Sequence, residues 1–127
     1  MRLQARRILL VEDAADVREA LETLLRAEGA EVVPAATGRG ALACVVRTNF
    51  EVLLTDLGLP DIRGDILIRE VLALTSRRPR VIAMTGYGEP YQSQAREAGA
   101  DVVLTKPLEW SDLVRELEPG RRDPLAA

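Results

Sequence analysis

The sequence predicts an α/β protein, an open three-layer sandwich in which a parallel sheet of five strands lies between helices. Short apolar runs rich in Val, Ile and Leu mostly lack polar alternation, which is typical of strands covered on both faces. Segments with helical spacing of apolar residues separate these runs, and such alternation indicates βαβ units with right-handed crossovers. At 127 residues and without internal repeats, the chain has the size of one domain.

The predicted elements follow one another in order from the N-terminus. The strands lie within five segments, RRILLVED, EVVPA, FEVLLTD, RVIAMTG and ADVVLTK. The first helix is predicted over Ala15 to Glu28 and stops at Gly29. Its apolar residues recur at helical spacing, namely Val17, Leu21, Leu24 and Leu25.

Capping residues and glycines predict the bounds of the later helices. A second helix can begin at the cap Thr37 and run to Arg47. The other predicted bounds are Asp65 or a nearby residue to Leu72, Glu89 to Ala98 with a stop at Gly99, and a start near Trp110 with Ser111 or Asp112 in the first turn. Residues 1–118 are therefore expected to form the domain, and the Pro- and charge-rich residues 119–127 a flexible tail.

The composition excludes several classes of chemistry. The chain has no histidine and one cysteine, Cys44, so we expect neither a zinc site of the usual N/S ligands nor catalysis by Ser-His-Asp or Cys-His groups. The net charge of -3 comes without a basic stripe, which argues against a direct nucleic-acid partner. The chain lacks an apolar run near the roughly 20 residues of a membrane span. It also lacks the apolar region of a secretory signal, so we expect a cytoplasmic location without a membrane partner.

Residues suited to phosphoryl chemistry stand at the carboxyl ends of the predicted strands. Strand one delivers Glu12 and Asp13, strand three Asp56, strand four Thr85 and strand five Lys106. Parallel strands bring these ends to one edge of the sheet, where ligands bind in such folds. Three acids in one pocket repel one another unless a cation lies among them, and Mg²⁺ suits carboxylate and phosphate oxygens. The pattern therefore predicts a magnesium-dependent phosphoryl site.

Each of these residues alone has a simpler explanation, such as a helix cap at Asp13 or a turn at Thr85. Together they predict a specific chemistry, in which Asp56 attacks a phosphoryl group and becomes an aspartyl phosphate. The metal would be held directly by Asp13 and Asp56, and by Glu12 through water. Lys106 would supply a positive charge, and the Thr85 hydroxyl can donate a hydrogen bond to a phosphoryl oxygen.

Four motifs make the chain resemble the receiver domain of two-component response regulators, from Arg7 to about Leu117: VED, TDLGLPDIRG, MTGYG and LTKP. The resemblance implies a flavodoxin-like fold with strand order 2-1-3-4-5 and Mg²⁺ as cofactor. It implies that Asp56 takes its phosphoryl group from a phosphohistidine of a histidine kinase or histidine phosphotransfer domain. It further implies a signalling domain that acts on a downstream protein, and not an enzyme with turnover.

The same resemblance assigns roles to residues around the site. It implies that the backbone carbonyl of Gly58 completes the metal shell and that Gly86 leaves room for the phosphoryl group. It implies that the bond between Lys106 and Pro107 is cis. We also hypothesise that Tyr87 shields the aspartyl phosphate from water.

Two further positions qualify the resemblance. Asp61 is expected to cap or solvate a turn and not to bind metal. The family usually carries an aromatic ring three residues before the lysine, and this chain has Val103 there. The ring half of the usual conformational switch is therefore missing.

Three alternatives remain open at this point. Gly38, Gly40 and Ala43 match the dinucleotide-binding fingerprint, although they follow the second predicted strand and the fingerprint belongs after the first. An aspartyl-phosphate phosphatase would need a second acid two residues after Asp56, where the chain has Gly58. A receiver-like interaction module that is never phosphorylated would keep the fold but gain nothing from acids that repel one another.

Overall fold

The computed structural model describes residues 1–120, in which five strands and five helices alternate along the chain. The strands are β1 Arg7–Val11, β2 Glu31–Ala35, β3 Val52–Asp56, β4 Arg80–Thr85 and β5 Val102–Thr105. The helices are α1 Ala15–Ala27, α2 Gly38–Val45, α3 Gly64–Leu74, α4 Tyr91–Ala98 and α5 Trp110–Leu117. Among the described residues, every helix is too short or too polar to cross a bilayer. The predicted alternation is confirmed, while residues 121–127 of the predicted tail lie outside the described part.

The five strands form one parallel sheet in the order β2-β1-β3-β4-β5. This confirms the predicted flavodoxin-like topology. In the register, Leu10 of β1 lies opposite Leu54 of β3, and Leu54 lies opposite Ile82 of β4. All strands run the same way, so their carboxyl ends meet at a single edge of the sheet.

Aliphatic side chains fill the core on both faces of the sheet. Alternate strand residues point to opposite faces. On one face, Leu10 packs in a cluster with Leu25 of α1 and Leu117 of α5. On the other, Leu9 packs in a cluster that includes Leu67 of α3 and residues of α2 and α4. The arrangement is the predicted three-layer sandwich, with the sheet between two helical layers.

Helix α1 buries only part of its apolar residues. Leu21 and Leu25 are buried, whereas Val17 is 39% and Leu24 is 46% exposed. The helix ends as predicted before Gly29, whose φ of 94° lies in the region that favours glycine.

Three other helices differ from the prediction by a few residues at their ends. Helix α2 ends at Val45 and not at Arg47, α3 runs to Leu74 beyond Leu72, and α4 begins at Tyr91 after Glu89. At the end of α2, the N–H groups of Arg47 and Thr48 both donate to the carbonyl of Cys44, so the chain leaves the helix in a tight turn. At the start of α4, Pro90 takes the N-cap position, so the first helical residue comes after it.

Candidate functional site

Four strands deliver the predicted side chains to the carboxyl edge of the sheet. β3 ends at Asp56 and β4 at Thr85, while Glu12 and Asp13 directly follow β1 and Lys106 follows β5. The N–H of Lys106 donates to the carbonyl of Thr85 at 2.8 Å, which extends the pairing of β4 and β5 past their last residues. The structure thus places all five residues at the same edge.

The carboxylates of Glu12, Asp13 and Asp56 form an acidic cluster. One oxygen from each lies within 4.8 Å of the others. Glu12 and Asp56 are buried, at 1% and 8% exposed, whereas Asp13 is open to solvent. Carboxylates this close repel one another. Since all three offer oxygen donors, the cluster has the chemistry that suits a hard divalent cation such as Mg²⁺.

Lys106, the only lysine in the sequence, bridges two of these acids. Its Nζ donates to Oδ2 of Asp56 at 3.0 Å and to Oε1 of Glu12 at 3.1 Å. The Lys106 side chain is 32% exposed, while its two partners are nearly buried. The amine therefore lies where it can contact Asp56 and a group bound to it.

The ionisable groups of the site influence one another's protonation. Burial lowers the pKa of the Lys106 amine, but hydrogen bonds and attraction to Asp56 and Glu12 outweigh it, so the pKa lies above the ordinary lysine value. Burial raises the pKa of the Glu12 carboxyl, and its hydrogen bonds to Lys106 and Ala14 only partly oppose this. Repulsion from Asp56 adds to the rise in the Glu12 pKa. Both shifts show that the pocket favours additional positive charge.

Backbone N–H groups fix the orientation of the two buried acids. The N–H of Gly58 donates to Oδ1 of Asp56 at 3.1 Å, and that of Ala14 donates to Oε2 of Glu12 at 3.2 Å. Each carboxylate thus has one oxygen on the backbone and the other on Lys106. This arrangement holds both side chains in defined rotamers at the cluster.

Arg18 supports the loop after β1, a role that sequence reasoning missed. Its Nη1 donates to the carbonyl of Glu12 at 2.9 Å and to that of Asp13 at 3.3 Å. Arginine is a common surface residue, so its residue type gave no signal. Its role depends on how α1 is placed against the loop, which the sequence pattern does not specify.

The hydroxyl of Thr85 is bound to the loop that follows β4. Thr85 is buried, and its Oγ1 accepts a hydrogen bond from Tyr87 N at 3.0 Å and donates to Tyr87 O at 3.3 Å. The Tyr87 side chain is 67% exposed, and its ring lies 5.5 Å from the ring of Tyr91. The hydroxyl therefore links the acidic edge to the start of α4.

Asp61 caps the start of helix α2, whereas the sequence predicted only that it would cap or solvate a turn. Its two carboxylate oxygens accept from Gly38 N and Arg39 N, each at 2.9 Å. These bonds from Arg39 and Gly38 lower the pKa of the Asp61 carboxyl. A dinucleotide would place its pyrophosphate at this helix N-terminus, where Asp61 already lies. The arrangement argues against the dinucleotide-binding alternative.

Two glycines near the site have different surroundings. A Cβ at Gly64 would lie 2.5 Å from Leu57 Cα, so no other residue fits there without moving the backbone after Asp56. A Cβ at Gly86 would meet no atom within 4 Å. The space next to Thr85 is therefore open, which is compatible with the room predicted for a phosphoryl group.

Two expectations concern the β5 end of the site: the cis bond before Pro107 and the position of Val103. The bond between Lys106 and Pro107 is cis, as predicted, and the bond between Glu89 and Pro90 is also cis. Val103 is half-buried and packs against the core cluster that faces α2, α3 and α4. A small aliphatic side chain thus lies where the family usually has an aromatic ring.

Comparisons with known proteins agree with this geometry. Residues 8–118 match the family model of the response regulator receiver domain. The transcriptional regulatory protein KdpE of Mycobacterium tuberculosis is 32% identical over 121 residues, which cover 94% of this chain and 53% of KdpE.

Solved structures show the same fold. A response regulator receiver domain protein (CheY-like) from Methanospirillum hungatei is 32% identical with a TM-score of 0.83, over 89% of this chain and 90% of that one. The receiver domain of a sensor histidine kinase from Pseudomonas aeruginosa is 31% identical with a TM-score of 0.82, over 89% of this chain and 94% of that one. That structure has a magnesium ion coordinated in its active site cleft. The present chain spans about half the length of several curated relatives.

Proposed function

The chain belongs to the family of response regulator receiver domains, and from this premise we propose that Asp56 is a phosphoacceptor. The phosphoryl donor would be a phosphohistidine on a histidine kinase or a histidine phosphotransfer domain. The observation that carries the proposal is the position of Lys106, whose Nζ lies 3.0 Å from Asp56 beside the acidic cluster. A carboxylate with a fixed cation and nearby metal-type ligands is suited to phosphoryl transfer.

In the proposed step, a carboxylate oxygen of Asp56 bonds to phosphorus while the bond from phosphorus to the donor's imidazole nitrogen breaks. The electron pair of the broken bond stays with the imidazole. Because the other ring nitrogen of the donor carries a proton, the leaving group is a neutral imidazole. The ammonium of Lys106 offsets negative charge on the phosphoryl oxygens. The Thr85 hydroxyl, now bonded to the Tyr87 backbone, would turn to donate to one of those oxygens.

We propose that Mg²⁺ is the cofactor of this step. Asp13 and Asp56 would hold it directly, Glu12 through water, and Gly58 through its backbone carbonyl. When bound, magnesium supplies positive charge that offsets the charge of the phosphoryl oxygens. The oxygen cluster of Glu12, Asp13 and Asp56 supports this assignment.

The site supports a slow phosphoacceptor better than a phosphatase with turnover. Such a phosphatase needs an acid two residues after the nucleophile to activate water, and Gly58 stands at that position. The N–H of Gly58 instead holds Oδ1 of Asp56 at 3.1 Å. Without a base at this position, we expect the aspartyl phosphate to hydrolyse slowly.

Residues 1–118 would then act as the receiver domain and residues 119–127 as a tail. We propose a cytoplasmic role in which phosphorylation changes the affinity for a downstream protein. The connection from Thr85 to Tyr87 supports a conformational change that starts at the loop before α4. Because Val103 replaces the usual aromatic ring, the loop before α4 would transmit the conformational change without the movement of such a ring.

Intact mass spectrometry with a small phosphodonor tests the proposal. In the presence of Mg²⁺ and acetyl phosphate or phosphoramidate, the wild type should gain one phosphate adduct, and Asp56→Asn should gain none. Asp61→Asn is the matched control, because Asp61 lies in the same loop but caps α2; it should be labelled as the wild type is. A wild type that stays unmodified with every donor, including a candidate kinase, would leave the interaction-module alternative instead.

A further inference from the structure

A second concave site lies at the opposite edge of the sheet, beside the amino ends of β1, β3, β4 and β5. Its cavity has a volume of about 760 Å³, a size typical of small-molecule sites. Within residues 1–120, five of its lining residues are arginines: Arg6, Arg7, Arg77, Arg78 and Arg80. Among the described residues, the acids that line it are Glu51 and Asp101. This arginine cavity is locally basic in a chain whose net charge is -3.

The two acids of the arginine cavity are engaged by the fold. Glu51 accepts a hydrogen bond from Arg7 N at 2.9 Å and lies 3.7 Å from Arg6 Nη1. Asp101 accepts from Arg78 Nη1 at 2.9 Å. The acids therefore hold the wall of the cavity together. With Glu31 and Glu116 they pair with four of the five arginines, and within residues 1–120 Arg77 is the arginine left without an acid.

Two of the arginines form a fixed, largely buried part of the wall. The side chains of Arg6 and Arg80 are 13% and 12% exposed. Arg6 donates to the carbonyl of Leu117 at 2.9 Å, and Arg80 pairs with Glu116 at 2.6 Å. Burial lowers the pKa of the Arg6 guanidinium, Glu51 opposes this, and the charge of Arg80 lowers it further. These two cations are close enough to repel each other, so an anion at the cavity would stabilise both.

The other arginines offer N–H groups that can bind a ligand. Within residues 1–120, Arg77 makes no hydrogen bond or ion pair with another residue. Arg7 donates to Glu31 through Nε at 3.1 Å, and its terminal nitrogens make no hydrogen bond in the same range of residues. A planar guanidinium with free N–H groups binds phosphate through two parallel hydrogen bonds.

The remaining wall adds neutral donors and an aromatic surface. Asn49, Thr75 and Ser76 line the same cavity. The side chains of Asn49 and Ser76 can donate hydrogen bonds, while the Thr75 hydroxyl already donates to Leu72 O at 3.4 Å. Phe50 also lines it and is half-buried, so its ring is held in place while part of it remains accessible. A base can pack on such a ring.

We propose that the arginine cavity binds a nucleoside di- or triphosphate, with its phosphates on Arg7 and Arg77 and its base on Phe50. The size of the cavity, its paired guanidinium groups and its single aromatic side chain fit this class of ligand better than a simple anion. The site lies at the sheet edge opposite Asp56 and does not depend on phosphorylation of that residue. Nucleotide binding at the arginine cavity can therefore be tested independently of the phosphoacceptor role of Asp56.

Amide NMR titration of the full chain with ADP tests the proposal. In magnesium-free buffer of low ionic strength, ADP should cause saturable shifts at the amide signals of residues 49–51, 75–78 and 80, but not at Gly86 or Lys106. Arg77→Ala should weaken binding about tenfold, the effect expected when one charge-assisted contact is lost. Arg77→Lys keeps the charge but not the planar guanidinium, so its affinity for ADP should lie between those of the wild type and Arg77→Ala.

Arg69→Ala is the matched control, because Arg69 is exposed on α3 and lies outside the cavity. It should bind ADP as the wild type does. The proposal is wrong if ADP causes no saturable shifts at the cavity, or if Arg69→Ala weakens binding as much as Arg77→Ala. It is equally wrong if adenosine alone, or a short polyglutamate peptide, binds there as tightly as ADP.

Discussion

At the scale of single residues, Lys106 is the side chain whose chemistry is easiest to measure. Because it is the only lysine, reductive ¹³C-methylation labels just this amine and the N-terminus. We expect the Lys106 signal to titrate above the ordinary lysine pKa of about 10.4, since Asp56 and Glu12 favour the charged form. Asp56→Asn removes one of these anions and should lower the pKa of Lys106.

The raised pKa of Lys106 also makes stability depend on pH. The folded state holds this proton more tightly than the unfolded state, so the contribution is complete below the unfolded-state pKa and disappears as pH rises through the folded-state pKa. Denaturant unfolding of wild type and Lys106→Met should therefore differ most at neutral pH and converge in strong alkali. Asp61→Asn, remote from Lys106, should leave the NMR titration unchanged. A Lys106 signal at or below the ordinary pKa would contradict the geometry.

Tyr87 is a second residue with a specific expectation. If its ring shields the aspartyl phosphate from water, Tyr87→Ala should shorten the lifetime of the phosphorylated form, because water reaches the phosphoryl group more easily. Tyr87→Phe keeps the ring and should keep the lifetime. The decay can be followed by intact mass after removal of the phosphodonor. Equal lifetimes for Tyr87→Ala and the wild type would exclude shielding. The ring would then stay in solvent, where it already is 67% exposed.

At the scale of elements, the sequence predicted what depends on local pattern and failed where distant contacts decide. The run before Asp56 predicted a buried strand that ends in a carboxylate, and β3 is buried throughout. The order of the strands came from the resemblance, because periodicity carries no information about which strands are neighbours. Arg18 was missed, since its contacts with the carbonyls of Glu12 and Asp13 depend on the placement of α1. The start of α4 was misplaced because Pro90 can stand either inside the first turn or at the cap.

Helix α2 has two side-chain caps, one local and one distant. Thr37 Oγ1 accepts from Gly40 N at 3.0 Å, as the predicted cap should. Asp61 accepts from Gly38 N and Arg39 N across a separation of 23 and 22 residues. We expect Asp61→Ala to lower the free energy of unfolding, because two N–H groups at the helix start lose their acceptor.

The lowered pKa of Asp61 gives this effect a pH dependence. The folded state favours the ionised carboxylate, so the stabilisation is present above the unfolded-state pKa and is lost as pH falls through the lower, folded-state value. Urea unfolding of wild type and Asp61→Ala should thus differ at neutral pH and converge in strong acid. Asp61→Asn keeps one acceptor oxygen, so its free energy of unfolding at neutral pH should lie between those of the wild type and Asp61→Ala. A difference that persists unchanged in acid would show that the carboxylate charge is not involved.

At the scale of the whole molecule, the two edges of the sheet have opposite electrostatic character. The acidic cluster of Glu12, Asp13 and Asp56 lies at the carboxyl edge, and the arginine cavity lies at the amino edge. Repulsion within each group opposes folding, and the counter-charges that the fold supplies, such as Lys106 at the acidic edge and Glu116 at the arginine cavity, offset only part of it. A cation bound at the acidic edge and an anion bound at the arginine cavity should therefore each raise the free energy of unfolding.

Magnesium is the direct test of this view at the acidic edge. A ligand that binds only the folded state at 100 times its dissociation constant stabilises it by about 2.7 kcal/mol, so the melting temperature of the wild type should rise with added Mg²⁺. Asp13→Asn should lose most of this rise, and without metal it should melt at or slightly above the temperature of the wild type, because the substitution removes a repelling charge at an exposed position. Asp16→Asn is the matched control, since Asp16 is exposed on the first turn of α1 and lies outside the cluster. If Mg²⁺ raised the melting temperature of Asp13→Asn and Asp16→Asn equally, the effect would be one of ionic strength, and the acidic cluster would not be a metal site.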